Sequence, residues 1–129
     1  MATPLTLLIV DDHFVVRSGL ATALEIEDDI AIVGDVRRGD LVLDAYERLR
    51  PDIVLMDLQL PGLGGVAATE ILCERHPEAR VLVYSTFIHD DEVQAALDAG
   101  AMGYVQKSSS REELLTALRQ VGAGRSHLP

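Results

Sequence analysis

Five short apolar runs constrain this chain more than any other feature: Leu5–Val10, Ile30–Val36, Ile53–Met56, Val81–Tyr84 and Gly103–Gln106. They recur at intervals of roughly 22–28 residues, the length of a strand, a helix and two turns, which predicts repeated βα units. The first and third runs are almost unbroken Leu, Ile and Val, as strands buried on both faces must be. Between the runs, apolar residues return at helical spacing. One face carries Val16, Leu20, Ala23 and Leu24, and the next Val42, Ala45, Tyr46 and Leu49. Ala68, Ile71 and Leu72 follow, then Val93, Ala96 and Leu97, then Leu114, Leu115, Leu118 and Val121. Pro51, Pro77 and Gly100 stand where helices should stop, and Asp90 where the fourth can be capped. Ser110-Arg111-Glu112-Glu113 reads as a capping box opening the fifth. The expected fold is α/β: a (βα)5 chain wound into a doubly wound five-stranded parallel sheet.

A length of 129 residues supports one core and not two. A formal net charge of -10 argues against direct binding to nucleic acid or an anionic membrane. The apolar start, Leu5–Val10, is too short to span a bilayer and lacks the basic flank of a secretory signal, so a cytoplasmic location is expected. The single cysteine, Cys73, has no partner for an internal disulfide and no metal-ligand spacing around it; it reads as a buried structural thiol.

In doubly wound sheets, ligands bind outside the carboxyl ends of the strands, where strand order reverses. The five strand ends here carry Asp11-Asp12, Asp35, Asp57, Ser85-Thr86 and Lys107. The two most apolar strands, expected to be neighbours, bring Asp11, Asp12 and Asp57 together. At an effective dielectric near 20, each carboxylate pair ~4 Å apart costs about 4 kcal/mol, so a counter-charge is needed. Oxygen-only donors point to a hard divalent cation, with Mg²⁺ the default. His13 is adjacent in sequence, but it begins a helix and is expected to point away. Lys107 supplies a fixed cation and Ser85 a hydroxyl. Asp57 flanked by these groups is arranged to become an acyl phosphate. No glycine-rich phosphate loop accompanies it, so a nucleotide is not the obvious donor.

Asp11-Asp12, the run Ile53-Val54-Leu55-Met56-Asp57-Leu58-Gln59-Leu60-Pro61-Gly62, Ser85, and Gly103-Tyr104-Val105-Gln106-Lys107 together resemble the receiver domain of two-component response regulators. The resemblance spans nearly the whole chain and implies the flavodoxin-like strand order 2-1-3-4-5. It implies that Asp57 is phosphorylated by a sensor histidine kinase with Mg²⁺ held by Asp11, Asp12, Asp57 and the Gln59 backbone carbonyl. Lys107, Ser85 and Thr86 would bind the phosphoryl group, and Ser85 with Tyr104 would form the switch. The sequence departs from the commonest family pattern at three places. Ser108 follows Lys107 where a cis proline is frequent, which leaves that bond open; Thr86 is larger than usual; and Phe14 replaces a common proline.

Residues from Leu115 through Gly124 and on to Pro129 resemble the exit from a receiver in NarL/LuxR-type regulators. That likeness implies a receiver over residues 1–124 and the start of a linker at 125–129. The linker would lead to a helix-turn-helix DNA-binding output domain absent from this sequence, and a homodimer would form on activation. The chain would be either a portion of such a regulator or a receiver standing alone. Two alternatives stay open. A haloacid-dehalogenase-like phosphatase would use Asp57 as nucleophile but needs an acid two residues on, where Gln59 stands. A pseudo-receiver would act by protein contacts alone, though it usually lacks one of the acids or the lysine retained here.

Overall fold

A computed structural model describes residues 3–86 and 90–128, the side chain of Asp90 excepted. Strands β1 (Leu5–Val10), β2 (Ile30–Val36), β3 (Ile53–Met56), β4 (Val81–Ser85) and β5 (Gly103–Gln106) form one parallel sheet in the order β2-β1-β3-β4-β5. Helices α1 (Phe14–Leu24), α2 (Val42–Leu49), α3 (Gly65–Arg75), α4 (Asp90–Asp98) and α5 (Arg111–Gly122) connect them, with a 3₁₀ turn at Gly39–Leu41 before α2. This is the doubly wound (βα)5 architecture expected from the spacing of the apolar runs. β4 runs one residue further than its apolar run because Ser85 continues the ladder opposite Gln106.

Side chains alternate across each strand, so the sheet feeds two cores. Leu8, Val10, Val54, Met56, Val81 and Val83 face one way and pack with Val42, Ala45 and Tyr46 of α2, Ala68 and Leu72 of α3, and Ala96 of α4. Leu7, Ile9, Ile53, Leu55, Leu82 and Val105 face the other way against Leu20 and Leu24 of α1 and Leu114, Leu115, Leu118 and Val121 of α5. β3 and the last four residues of β1 are buried on both faces, which is why the two strands are almost entirely Leu, Ile and Val, broken only by Thr6 and Met56. Ile71, expected on the inner face of α3, is instead 40% exposed on that helix's flank.

Local signals end these elements. Ser110 Oγ accepts the Glu113 backbone N–H at 3.1 Å, the first half of the expected capping box. α2 stops at Arg50, which takes the left-handed φ of 46° just before Pro51. The cap expected of Asp90 lies outside the described residues. Among the described residues, no helix is long and apolar enough to cross a membrane.

Candidate functional site

The sheet itself brings the acids together. β1 and β3 are neighbours with Val10 opposite Met56, so the next residues, Asp11 and Asp57, leave the sheet side by side. The Asp57 N–H donates to the Val10 carbonyl at 2.9 Å, and the Asp11 N–H donates to that of Val36 at 3.1 Å. Both residues are buried, at 2% and 3% exposure, while Asp12 stays exposed at the rim. Single donor atoms of Asp11, Asp12, His13 and Asp57 all lie within 4.8 Å of one another.

Lys107 arrives from the far end of the sheet. Its backbone N–H donates to the Ser85 carbonyl at 2.9 Å, which fixes where its side chain starts. Its ammonium then reaches Asp11 Oδ2 at 2.6 Å and Asp57 Oδ2 at 3.3 Å. Burial works against the ammonium, but the bond to Asp11 and the charges of Asp57 and Asp11 outweigh it and hold its pKa above the ordinary lysine value. For Asp57, burial pushes the carboxyl above its usual range, and the nearby Asp11 charge adds to that. The Gln59 backbone N–H and Lys107 pull the other way without cancelling it.

The loop after β3 packs against the buried Asp57 carboxylate and fixes one of its oxygens. The Gln59 N–H donates to Asp57 Oδ1 at 3.2 Å, and the Gln59 side chain donates to Glu92 of α4 at 2.9 Å. α3 begins hard against this backbone: a Cβ on Gly65 would lie 2.2 Å from the Asp57 carbonyl oxygen. Only glycine lets α3 start there, and its Thr69 hydroxyl donates back to the Gly65 carbonyl at 2.8 Å.

Asp11, Asp12, Asp57 and Lys107 thus meet as the sequence anticipates. Ser85 is fully buried at the end of β4, and Thr86 beside it is exposed. Tyr104 is half-buried on β5, packed on the core shared with α2, α3 and α4. Among the described residues no peptide bond is cis, so Lys107–Ser108 is trans.

His13 corrects the expectation that it points away. It is the residue before α1, its N–H donates to Asp11 Oδ1 at 2.8 Å, and its ring stays 60% exposed at the rim with one nitrogen beside the acids. Nδ1 lies 3.0 Å from Asp11 Oδ1 and 3.2 Å from Asp12 Oδ1. Arg17 was not singled out in the sequence. It donates to the Asp11 carbonyl at 2.9 Å and lies 3.7 Å from Asp35, buttressing the acidic turn. The available signal was a long basic side chain one helical turn beyond the acidic pair.

The residues present suit a divalent cation. Three carboxylates cluster here and the Lys107 ammonium reaches the two buried ones, Asp11 and Asp57, which leaves an excess of negative charge. Carboxylate oxygens clustered this closely are the donor type that hard cations take.

Residues 7–119 match the family described as the response regulator receiver domain. The chain is 37% identical over 121 residues to the nitrate/nitrite response regulator NarL of Escherichia coli, covering 94% of this chain and 56% of that protein. It therefore spans about half the length of the curated relatives it matches. A LuxR-family response regulator from Aurantimonas superposes with a TM-score of 0.91 at 35% identity, covering 98% of this chain and 90% of that one. The signal receiver domain of a NarL-type regulator from Mycobacterium tuberculosis superposes at 0.90 with 28% identity, covering 96% and 100%.

Proposed function

This chain belongs to the response regulator receiver domain family, in its NarL/LuxR-type branch, and on that footing we propose that Asp57 accepts a phosphoryl group from a phosphohistidine of a sensor histidine kinase. The observation that carries this is the Asp57 carboxylate, buried at the end of β3 between an acidic pair and the Lys107 ammonium. A carboxylate oxygen of Asp57 attacks phosphorus, the P–N bond to the donor imidazole breaks, and the imidazole leaves with a proton from solvent. The product is an acyl phosphate.

Asp11, Asp12, Asp57 and the Gln59 carbonyl would hold Mg²⁺, which when bound neutralises phosphoryl oxygens and the acidic pair. Lys107 reaches Asp57 directly and would pair with the transferred group, Ser85 and Thr86 would donate hydroxyls to it, and Tyr104 would follow Ser85. Gln59 cannot serve as the general acid of a phosphatase, because a carboxamide has no proton that titrates near neutral pH. The chain therefore acts as a phosphoacceptor and signalling element in the cytoplasm, not as an enzyme on a separate substrate. Its output would be homodimerisation and control of a helix-turn-helix DNA-binding domain elsewhere in the same regulator.

Incubation with acetyl phosphate and Mg²⁺ should add the mass of one phosphoryl group, labile to hydroxylamine, and Asp57→Asn should gain none. Equal labelling of the variant would displace the assignment.

A further inference from the structure

Edge strands expose unpaired N–H and C=O groups and are ordinarily shielded. β5 is an edge of this sheet, and the shield is the chain's own segment after α5. The chain turns back as the Arg125 N–H donates to the Gln120 carbonyl at 2.9 Å. It then runs parallel to β5, with His127 opposite Gly103. The Tyr104 N–H donates to the His127 carbonyl at 3.0 Å, and the His127 N–H donates to the Met102 carbonyl at 3.2 Å. The His127 ring adds a contact from Nδ1 to Gln120 Oε1 at 2.5 Å.

Gly103 makes this docking possible. A Cβ there would lie 2.0 Å from the His127 carbonyl oxygen, a backbone atom that cannot swing aside. Gly103 is not among the glycines with positive φ, so alanine would suit its own backbone and obstruct only the docked segment.

We propose that residues 125–128 are a latch on β5 that phosphorylation of Asp57 releases. This rests on the phosphoacceptor reading above. The amide that holds the latch belongs to Tyr104, and the strand bearing it ends beside Lys107, whose ammonium is 3.3 Å from Asp57. A shift of the β5 backbone toward a phosphorylated Asp57 therefore moves one partner of the latch bonds. Those two bonds tie the segment to the backbone of β5 and of Met102 just before it at 3.0 and 3.2 Å, so a displacement of β5 away from the segment breaks them. Linkage makes the effect reciprocal: an undocked segment favours the activated arrangement. The docking of residues 125–128 is thereby tied to the state of Asp57.

Amide exchange on the 129-residue chain tests this, with and without beryllofluoride and Mg²⁺. The Tyr104 and His127 amides should be protected without beryllofluoride and exchange about fivefold faster with it, the scale of one net hydrogen bond. His127→Pro, which has no N–H to donate, and Gly103→Ala, which obstructs from the strand side, should each expose the Tyr104 amide without beryllofluoride. Each should also bind beryllofluoride about fivefold more tightly by reciprocity. Attacking the contact from opposite sides, they separate undocking from a folding defect in either one. Should amides around Asp57 and Ser85 respond to beryllofluoride while Tyr104 and His127 do not, the latch is wrong and the phosphoacceptor stands. Should none respond, the phosphoacceptor falls and takes the latch with it.

Discussion

Replacing Asp57 with Asn should stabilise the metal-free protein while removing most of its response to magnesium. The donor atoms of Asp11, Asp12 and Asp57 lie within 4.8 Å, so each pair repels by about 3.5 kcal/mol at an effective dielectric of 20. Asp57 recovers about 5 kcal/mol on the same scale from Lys107 at 3.3 Å. Two repulsions therefore exceed one attraction by about 2 kcal/mol, and water around the exposed Asp12 trims this to about 1–2 kcal/mol. Asparagine keeps the acceptor for the Gln59 N–H, and Lys107 keeps Asp11 at 2.6 Å. The melting temperature in EDTA should rise by about 3–8 °C. Wild type should gain about 2.7 kcal/mol from magnesium at a hundred times its Kd, and the variant far less. Scanning calorimetry in EDTA and in magnesium reads both effects. A variant that melts below wild type in EDTA, or that keeps the full magnesium shift, would refute the account of the site as an excess of buried negative charge.

Lys107→Met should destabilise the metal-free protein by about 3 kcal/mol in urea unfolding, because it leaves Asp11 buried without its ammonium; a loss below 1 kcal/mol would contradict the ion pair. Stability should depend on pH in two opposite ways. The raised pKa of Asp57 means the folded protein keeps a proton that the unfolded chain has released above about pH 3.8, so metal-free stability falls as pH climbs through that window, and Asp57→Asn should abolish this slope. Glu27, held low by its bonds to Arg111 and Arg119, and Asp29, held low by Arg119, contribute stability present above their ordinary values and lost as pH falls through the lowered ones. Arg119→Ala should flatten that acid limb of the melting curve. Finally, the 129-residue chain should not bind mixed-sequence duplex DNA in fluorescence anisotropy at physiological salt, since 11 basic residues face 21 acidic ones; tight, salt-dependent binding would overturn this.

β1 and β3 were legible almost to the residue because burial on both faces forces runs of apolar residues, and the acids that follow them mark where the chain leaves the core. The helices were legible by period, but period cannot say how wide a buried stripe is: Ile71 has helical spacing with Ala68 and Leu72 yet sits at the stripe's edge. His13 was misread because its direction depends on an Asx turn, the His13 N–H bonded to the Asp11 side chain, which Asp favours but does not compel. Phe14 and Val15, at 71% and 78% exposure, show the same blindness in reverse, being apolar and yet outside the core. The pairing of His127 with β5 was hidden for another reason. A short polar stretch after a final helix reads as a linker, and the glycine that admits it lies far upstream at position 103.

Because the sheet divides the interior in two, consecutive residues of one strand belong to different packing communities. Leu7 and Leu8 are chemical twins joined by a peptide bond, yet no buried side chain is shared between their clusters. Damage to the α1–α5 compartment and damage to the α2–α4 compartment should sum when combined, whereas two lesions within one compartment should interact. The domain can thus drift in sequence on one side while the other holds its arrangement. A rotation of the Tyr104 side chain, which packs on the α2–α4 compartment, can leave the α1–α5 compartment as it is, whereas a shift of the β5 backbone carries Val105 of that second compartment with it.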